Sequence, residues 1–337
     1  MKNKIFYVVI AVLILGLIIP LTTTADAESI EVYLGGIPIG IGLAEKGLIV
    51  TGLVDVITDE GVRCPARGSD ISTNDLIVAV DGELINGIGD FAQKIQRSKD
   101  ETLTLTVKRG ERERFVTLSP VTDSLTGLKK LGLTLKSGIN GIGTLTFVTV
   151  NRKFGALGHG IVDVDTGKTF LADSGSIYRC NINGFKRATD NKAGELSGSF
   201  VDRNDPIGII EKCNAFGVYG TMIGEEYGSL KRIPIASSKE VKTGDALIYS
   251  TVTGNTPRAY KIEIVKTSNQ RKPQEKSMLI RVTDQELLSQ TGGILQGMSG
   301  SPIVQGGKLV GAVTHVLVND STLGYGLYLD WMLDNLA

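Results

Sequence analysis

The sequence predicts a mainly β protein, two strand-rich units behind a short apolar leader. Three observations carry that expectation. Glycine is frequent, 42 of 337 residues, and tryptophan occurs once. Short runs rich in Val, Ile and Thr recur between Gly, Asp and Asn, at the strand-and-turn spacing of a sandwich or double barrel. Helical periodicity is confined to short stretches such as 90–96 and 328–336.

The leader is residues 1–27. Lys2 and Lys4 precede an apolar run from Ile5 to Ile19, and Ala25-Asp26-Ala27 closes the segment. A basic start, an apolar core and an Ala-x-Ala ending form the pattern of a secretory signal. The run falls short of the roughly 20 residues that a membrane span needs. Signal peptide and uncleaved signal anchor both stay open, and either exports the remainder of the chain. The 36 basic and 36 acidic residues balance, so there is no positive field to attract nucleic acid. The length allows two or three domains.

Residues 28–120 read as the first unit. Gly35 to Leu43 is a glycine-punctuated loop running into a strand, and Leu48-Ile49-Val50 and Asp75 to Gly82 are further strands. Asp90 to Gln96 has helical spacing with Asp90 as its expected N-cap. Leu103 to Val107 alternates as a strand into the turn Arg109 to Arg112. This order resembles a PDZ domain. By that resemblance, Gly40, Ile41, Gly42 and Leu43 stand where the family places its carboxylate-binding loop, and Asn74 to Gly82 matches its strand-turn. The resemblance implies capture of a peptide end by loop amides while the peptide adds a strand to the sheet edge. Pro120 and the Thr/Ser/Gly/Lys composition after it mark 121–137 as a linker. The second unit, 138–337, opens with the long strand candidate Gly141 to Val150 and continues in short apolar runs, including 246–250 and 259–265.

The chemistry concentrates at Gln296-Gly297-Met298-Ser299-Gly300-Ser301-Pro302-Ile303-Val304. Gly297 and Gly300 remove side chains that would forbid a tight turn or block a substrate backbone. Such a turn can present the Ser299 hydroxyl as nucleophile and the amides of Gly297 and Ser299 as an oxyanion hole. Pro302 to Val304, the turn 305–308 and Leu309 to Val313 follow as a β-hairpin. Ala172-Asp173-Ser174-Gly175-Ser176 imitates the motif, but lacks the preceding glycine and the hairpin, and reads as a loop.

A serine nucleophile needs an imidazole base, and the chain has two histidines, His159 and His315. His159 lies between Gly158 and Gly160 on a bend and is the expected base. His315 closes the strand leaving the Ser299 hairpin and is expected in the wall of the substrate pocket. The carboxylate that would orient the base stays open among Asp163, Asp165, Asp173, Asp202, Asp205 and Asp245, of which Asp202 and Asp205 are favoured by separation. Cys64, Cys180 and Cys213 are widely spaced without a CxxC, so no zinc site is expected. Free buried thiols are the expectation and a Cys180–Cys213 bridge the alternative. The reaction requires neither metal nor organic cofactor.

Gly297 to Pro302 with its hairpin resembles the nucleophile segment of chymotrypsin-like serine peptidases. The wider stretch from Thr291 to Val316 is similar to the stage IV B sporulation peptidase family. That resemblance implies a PDZ domain followed by a chymotrypsin-like double β-barrel, and points to Asp284, fifteen residues before Ser299, as the third catalytic member. Read from the residues alone, Asp284 is an N-cap for 285–288. The resemblance further implies an exported endopeptidase acting between forespore and mother-cell membranes. Its protein substrate would be a membrane-bound regulator of an intramembrane protease, whose release activates a late sigma factor. Self-cleavage is implied too, with the N-terminal stretch 22–30 within reach. The competing class is a catalytically silent PDZ-barrel adaptor that binds peptide ends.

Overall fold

The computed structural model describes residues 30–162, 169–170, 174–189 and 192–336. The leader, and with it the signal or anchor expectation, lies outside the described residues, as do Asp163, Asp165 and Asp173. No helix among the described residues is long and apolar enough to cross a membrane.

Strand β1 (Glu31–Leu34) is followed by β2 (Pro38–Leu53), β3 (Leu76–Val80), helix α1 (Gly87–Arg97), β4 (Leu103–Arg109) and β5 (Arg112–Leu118). Then come β6 (Leu133–Thr149), β7 (Lys153–Ala156), β8 (Gly175–Lys186), β9 (Gly194–Phe200), β10 (Pro206–Asn214) and β11 (Gly217–Met222). The last third contains β12 (Gly244–Ser250), β13 (Arg258–Thr267), β14 (Met278–Val282), α2 (Gln285–Thr291), β15 (Leu295–Gln296), β16 (Pro302–Gln305), β17 (Lys308–Leu317), β18 (Asp320–Tyr328) and α3 (Leu329–Leu333).

Two six-stranded rings account for most of these elements. In the first, β2 pairs β6, β6 pairs β7, β7 pairs β11, β11 pairs β10, β10 pairs β8, and β8 returns to β2. The second is the closed barrel β12-β13-β14-β18-β17-β16. Period-two alternation drives both. In β2, Ile39, Ile41 and Leu43 point into the first core and are at most 3% exposed. In β14, Met278, Ile280 and Val282 do the same for the second.

The PDZ-like module has its own core, including Leu48, Val50, Ile77, Phe91, Ile95, Leu105, Val107, Val116 and Leu131. It is inserted within the first barrel rather than placed before it. The chain enters it along β2, whose second half pairs β3 through Leu48↔Ile77, and leaves along β6, whose first residues Leu133 and Leu135 pack on the same core. The two strands that flank the insertion are neighbours in the barrel, paired from Pro38↔Thr144 to Leu43↔Ile139. The expected boundaries at 28, 120 and 137 shift accordingly. Residues 31–43 belong to the barrel side, and within 121–137 a hairpin pairs Lys129 with Thr122 while Leu131 is buried in the module.

The expectation of a peptide-binding loop at Gly40, Ile41, Gly42 and Leu43 is corrected here. Both edges of this stretch are paired, to Gly175–Tyr178 of β8 and to Ile139–Ile142 of β6, so no row of amides is left for a ligand. The glycines serve close packing instead. A Cβ on Gly40 would fall 1.7 Å from the Phe200 ring, and one on Gly42 would fall 3.2 Å from the Tyr178 ring.

A buried carboxylate ties the module together. Asp75 is fully buried and takes Arg109 Nε at 2.7 Å and Nη2 at 2.8 Å, with the Ser72 amide on its second oxygen at 2.8 Å. Burial alone would raise its pKa, but the Arg109 guanidinium and the Ser72 amide together hold it below the ordinary carboxylate value. None of Cys64, Cys180 and Cys213 is in a disulfide, and burial pushes the Cys180 thiol up to about 11.

Candidate active site

Ser299 sits on the turn between β15 and β16, with Gly297 at φ +97° and Gly300 at φ +94°. These are left-handed conformations that favour glycine. A Cβ on Gly300 would lie 2.1 Å from the Thr144 carbonyl oxygen, so this position is closed to any larger residue. The turn is held from both barrels. From β6, the Thr144 amide donates to the Ser299 carbonyl at 3.0 Å, Thr144 Oγ1 to the Gly297 carbonyl at 3.1 Å, and Thr146 Oγ1 to the Gly300 carbonyl at 2.8 Å. From β17, the Val313 carbonyl accepts the Gly300 amide at 2.8 Å. Among the described residues the Ser299 amide has no acceptor, which suits an oxyanion donor.

The Ser299 hydroxyl is half-buried and donates to the Thr314 carbonyl at 2.7 Å. His315, next along β17, lies with its ring 4.8 Å centroid to centroid from His159. The base and the pocket-wall residue expected from sequence are thus brought together across the seam between the barrels. His159 follows a bend where Leu157 (φ +69°) and Gly158 (φ +73°) are both left-handed. A Cβ on Gly158 would lie 3.1 Å from Thr314 Cγ2, which places the bend against β17. His159 Nδ1 is 2.6 Å from the Gly160 carbonyl oxygen. A carbonyl only accepts, so Nδ1 carries the proton and Nε2 is left with the lone pair that a base requires.

Burial lowers the His159 pKa, opposed by the Gly160 carbonyl and by the charge of Glu275. His315 is pushed down to about 4, by burial first, then by His159 and Lys276. Its Nδ1 is buried and has no hydrogen-bond partner among the described residues. Both rings are therefore neutral near pH 7.

Among the described residues no aspartate is hydrogen-bonded to His159, whose Nδ1 faces the Gly160 carbonyl. Asp284 caps α2: Oδ1 accepts the Leu287 amide at 3.0 Å and Oδ2 the Lys261 amide at 3.1 Å. Register separates it from the histidines. His315 pairs with Tyr325, Tyr325 with Leu279, and Asp284 lies five residues further along, about 16 Å at the usual strand rise. Asp202 is exposed and accepts the Asn204 amide, and Asp205 is exposed and pairs with Arg179 at 2.7 Å. Next to His159, a Cβ on Gly160 would lie 2.9 Å from Thr169 Cγ2 and 3.3 Å from both Ala215 Cα and the Asn214 carbonyl oxygen, which brings the turn 214–217 close to this bend. That turn carries no carboxylate. Glu275, on the loop between β13 and β14, is the acidic group whose charge reaches His159.

Sequence reasoning missed Thr144 and Thr146, which hold the turn, and Thr314, which holds the hydroxyl. Their signal was a threonine set among apolar neighbours, as in Thr144-Leu145-Thr146-Phe147-Val148 and Ala312-Val313-Thr314, because a buried hydroxyl needs a partner. Among the described residues no group of three or more His, Cys, Asp or Glu is arranged to hold a metal.

No curated protein matches the chain. Among solved structures, the PDZ domain of an SdrC-like protein from Listeria monocytogenes is similar at 23% identity, over 27% of this chain and 88% of that one, with a TM-score of 0.22. The active form of the Rv3671c protease from M. tuberculosis is 15% identical over 59% of this chain and 75% of that one, TM-score 0.32. An HtrA-type protease, AlgW with a decapeptide, is 14% identical over 63% of this chain and 56% of that one, TM-score 0.34. The family model of the SpoIVB peptidase S55 matches residues 127–333, a stretch that contains His159, Asp284, Ser299 and His315. The chain belongs to the SpoIVB peptidase S55 family and is a serine endopeptidase.

Proposed function

We propose that this chain is an exported signalling endopeptidase of sporulation. Its substrates are the extracytoplasmic part of a membrane-bound regulator of an intramembrane protease, whose release activates a late sigma factor, and its own segment 22–30. Its place of action is the space between the forespore and mother-cell membranes, as signal peptide or anchor 1–27 and the family name support. Ser299 is the nucleophile and His159 the base. The Ser299 amide, with that of Gly297, receives the oxyanion, and His315 lines the substrate pocket. Asp284 is a positioning residue that fixes α2 and through it the approach to Ser299. The observation that carries this reading is the seam itself, where Gly300 of the Ser299 turn packs on Leu157 of the bend that carries His159, and His159 lies against His315.

For cleavage, the hydroxyl turns from the Thr314 carbonyl towards His159 Nε2, gives up its proton there and attacks the peptide carbonyl. His159 then returns the proton to the leaving amine. Purified chain, incubated with such an extracytoplasmic domain, is expected to cleave it and to trim its own N-terminus. Ser299→Ala is expected to abolish both. His159→Ala is expected to lower kcat by roughly 10⁴-fold or more, as loss of a group that acts as a unit with the nucleophile does. Near-normal turnover by folded Ser299→Ala protein removes the assignment of the nucleophile.

A further inference from the structure

Strand β6 runs from the inserted module to the nucleophile, with register shifts against β2 at Thr134/Leu135 and Lys136/Gly138. The Thr144 amide donates away from β2, to Ser299, whereas the Leu145 amide donates on the β2 side, to Ile37. With a two-residue period, Ile142 and Asn140 present their backbone groups to the same side as Thr144. The ladder with β7 on that side begins only at Leu145. Among the described residues no strand pairs that side from Leu133 to Leu135 or from Gly138 to Gly143. An open cavity beside it is lined by Asn140, Gly141, Ile142, Ser199, Phe200 and Arg203.

At the module end of the strand, α1 packs against β6, with Phe91 and Ile95 in the same core as Leu133 and Leu135. Gln96 of α1 fixes the approach to the strand, donating to the Lys129 carbonyl at 2.8 Å and accepting its amide at 3.0 Å. The helix face that buries Phe91 and Ile95 extends into exposed Ile88, 47% accessible, and Ala92. An apolar helix edge beside an unpaired strand is a setting for an added strand.

We infer that the outer side of β6 is a docking rail for the leaving-group side of the substrate, from the Ser299 turn to the groove beside α1. This rests on Ser299 as the nucleophile. The occupant is the substrate itself, an extended polypeptide continuing past the scissile bond, because the rail is continuous with the catalytic seam. Its direction is set by the site. The acyl side faces β17, where Thr314 and His315 stand. His159, which protonates the leaving amine, is carried by the first barrel, to which β6 belongs. From Gly143 to Leu133 the rail spans about ten residues, roughly 33 Å of extended chain. The module therefore acts as a ruler, favouring substrates with at least that length of extended chain after the cleavage site.

The test compares two peptides with one scissile sequence and about 3 or about 12 residues after it, using the intact chain. The longer is expected to be cleaved with a kcat/KM at least about ten-fold higher. Asn140→Pro removes an outward amide, a change that edge strands accommodate, and Ile88→Glu places a charge in the groove at an exposed helical position. Each is expected to bring the long-to-short ratio close to one. Because Ile88 is on the surface, its variant tests the rail even if Asn140→Pro does not fold. Equal kcat/KM for the two peptides, or an advantage that survives both substitutions, overturns the rail. Labelling of Ser299 by a fluorophosphonate reports separately on the nucleophile, so failure of the ruler is distinguishable from failure of the peptidase assignment.

Discussion

Thr146 Oγ1 donates to the Gly300 carbonyl at 2.8 Å, from a side chain with no exposed surface, and so ties the middle of the first barrel to the residue after the nucleophile. Two positions earlier on the same strand, Thr144 grips Gly297 and Ser299. The nucleophile turn thus belongs to the second barrel by sequence and to both barrels by hydrogen bonding.

Thr146→Val keeps the shape of the side chain and leaves the Gly300 carbonyl without its donor. Orphaning a buried acceptor costs about 1–3 kcal/mol. If that is expressed in the alignment of Ser299, kcat/KM falls by roughly ten-fold, with a smaller effect on KM. Steady-state kinetics with a short peptide check this, and a urea midpoint on the same protein separates misalignment from unfolding. Unchanged kcat with a lowered midpoint would make Thr146 a stability residue only.

Asp284 offers a sharper division. If it orients His159 directly, Asp284→Asn should cost about 10⁴-fold in kcat, as loss of the orienting carboxylate does in triads. The structure gives both its oxygens to backbone amides at the start of α2, and asparagine is as good an N-cap as aspartate. The expected outcome is that Asp284→Asn keeps kcat within about ten-fold, while Asp284→Ala loses about 1 kcal/mol of stability. Measuring kcat and the unfolding midpoint for both variants decides it. A collapse of kcat in a stable Asp284→Asn protein returns Asp284 to the reacting unit.

Much of this was legible in the sequence, and the exceptions have a common cause. The Ser299 turn and the bend at His159 declare themselves locally, because left-handed backbone at Gly297, Gly300 and Gly158 favours glycine at those places. The strand character of Leu48–Val50 in β2 and of Gly141–Thr149 in β6 was readable in the same way, whereas the start of β2 read as a loop and the start of β6 as a linker. That β2 closes a ring with β6 and β8 was not. Its partners lie beyond the whole inserted module, and a glycine that admits the Phe200 ring looks, in one dimension, like a glycine that opens a loop. Asp284 shows the same limit, since its separation from the histidines is set by register in β14 and β18 rather than by its distance from Ser299 in sequence.

The last expectation concerns pH. Cleavage requires a neutral His159, and burial holds its pKa below the ordinary 6.5. The imidazole then stays a competent base as the medium is acidified past 6.5, and activity is lost only as pH falls through the lowered value. The acid limb of kcat/KM should therefore lie below 6.5. Glu275 is the charge that opposes the shift, so Glu275→Gln should move the limb further down. A limb above 6.5, or an upward move in Glu275→Gln, contradicts the placement of these groups. Stability follows the same sign through His315. Its folded value is about 4, set by burial, His159 and Lys276, while the unfolded residue titrates near 6.5. Between those values the unfolded state binds the extra proton, so stability falls as pH drops from 6.5 to about 4. Urea midpoints across that window should decline less steeply for His315→Gln than for the parent chain.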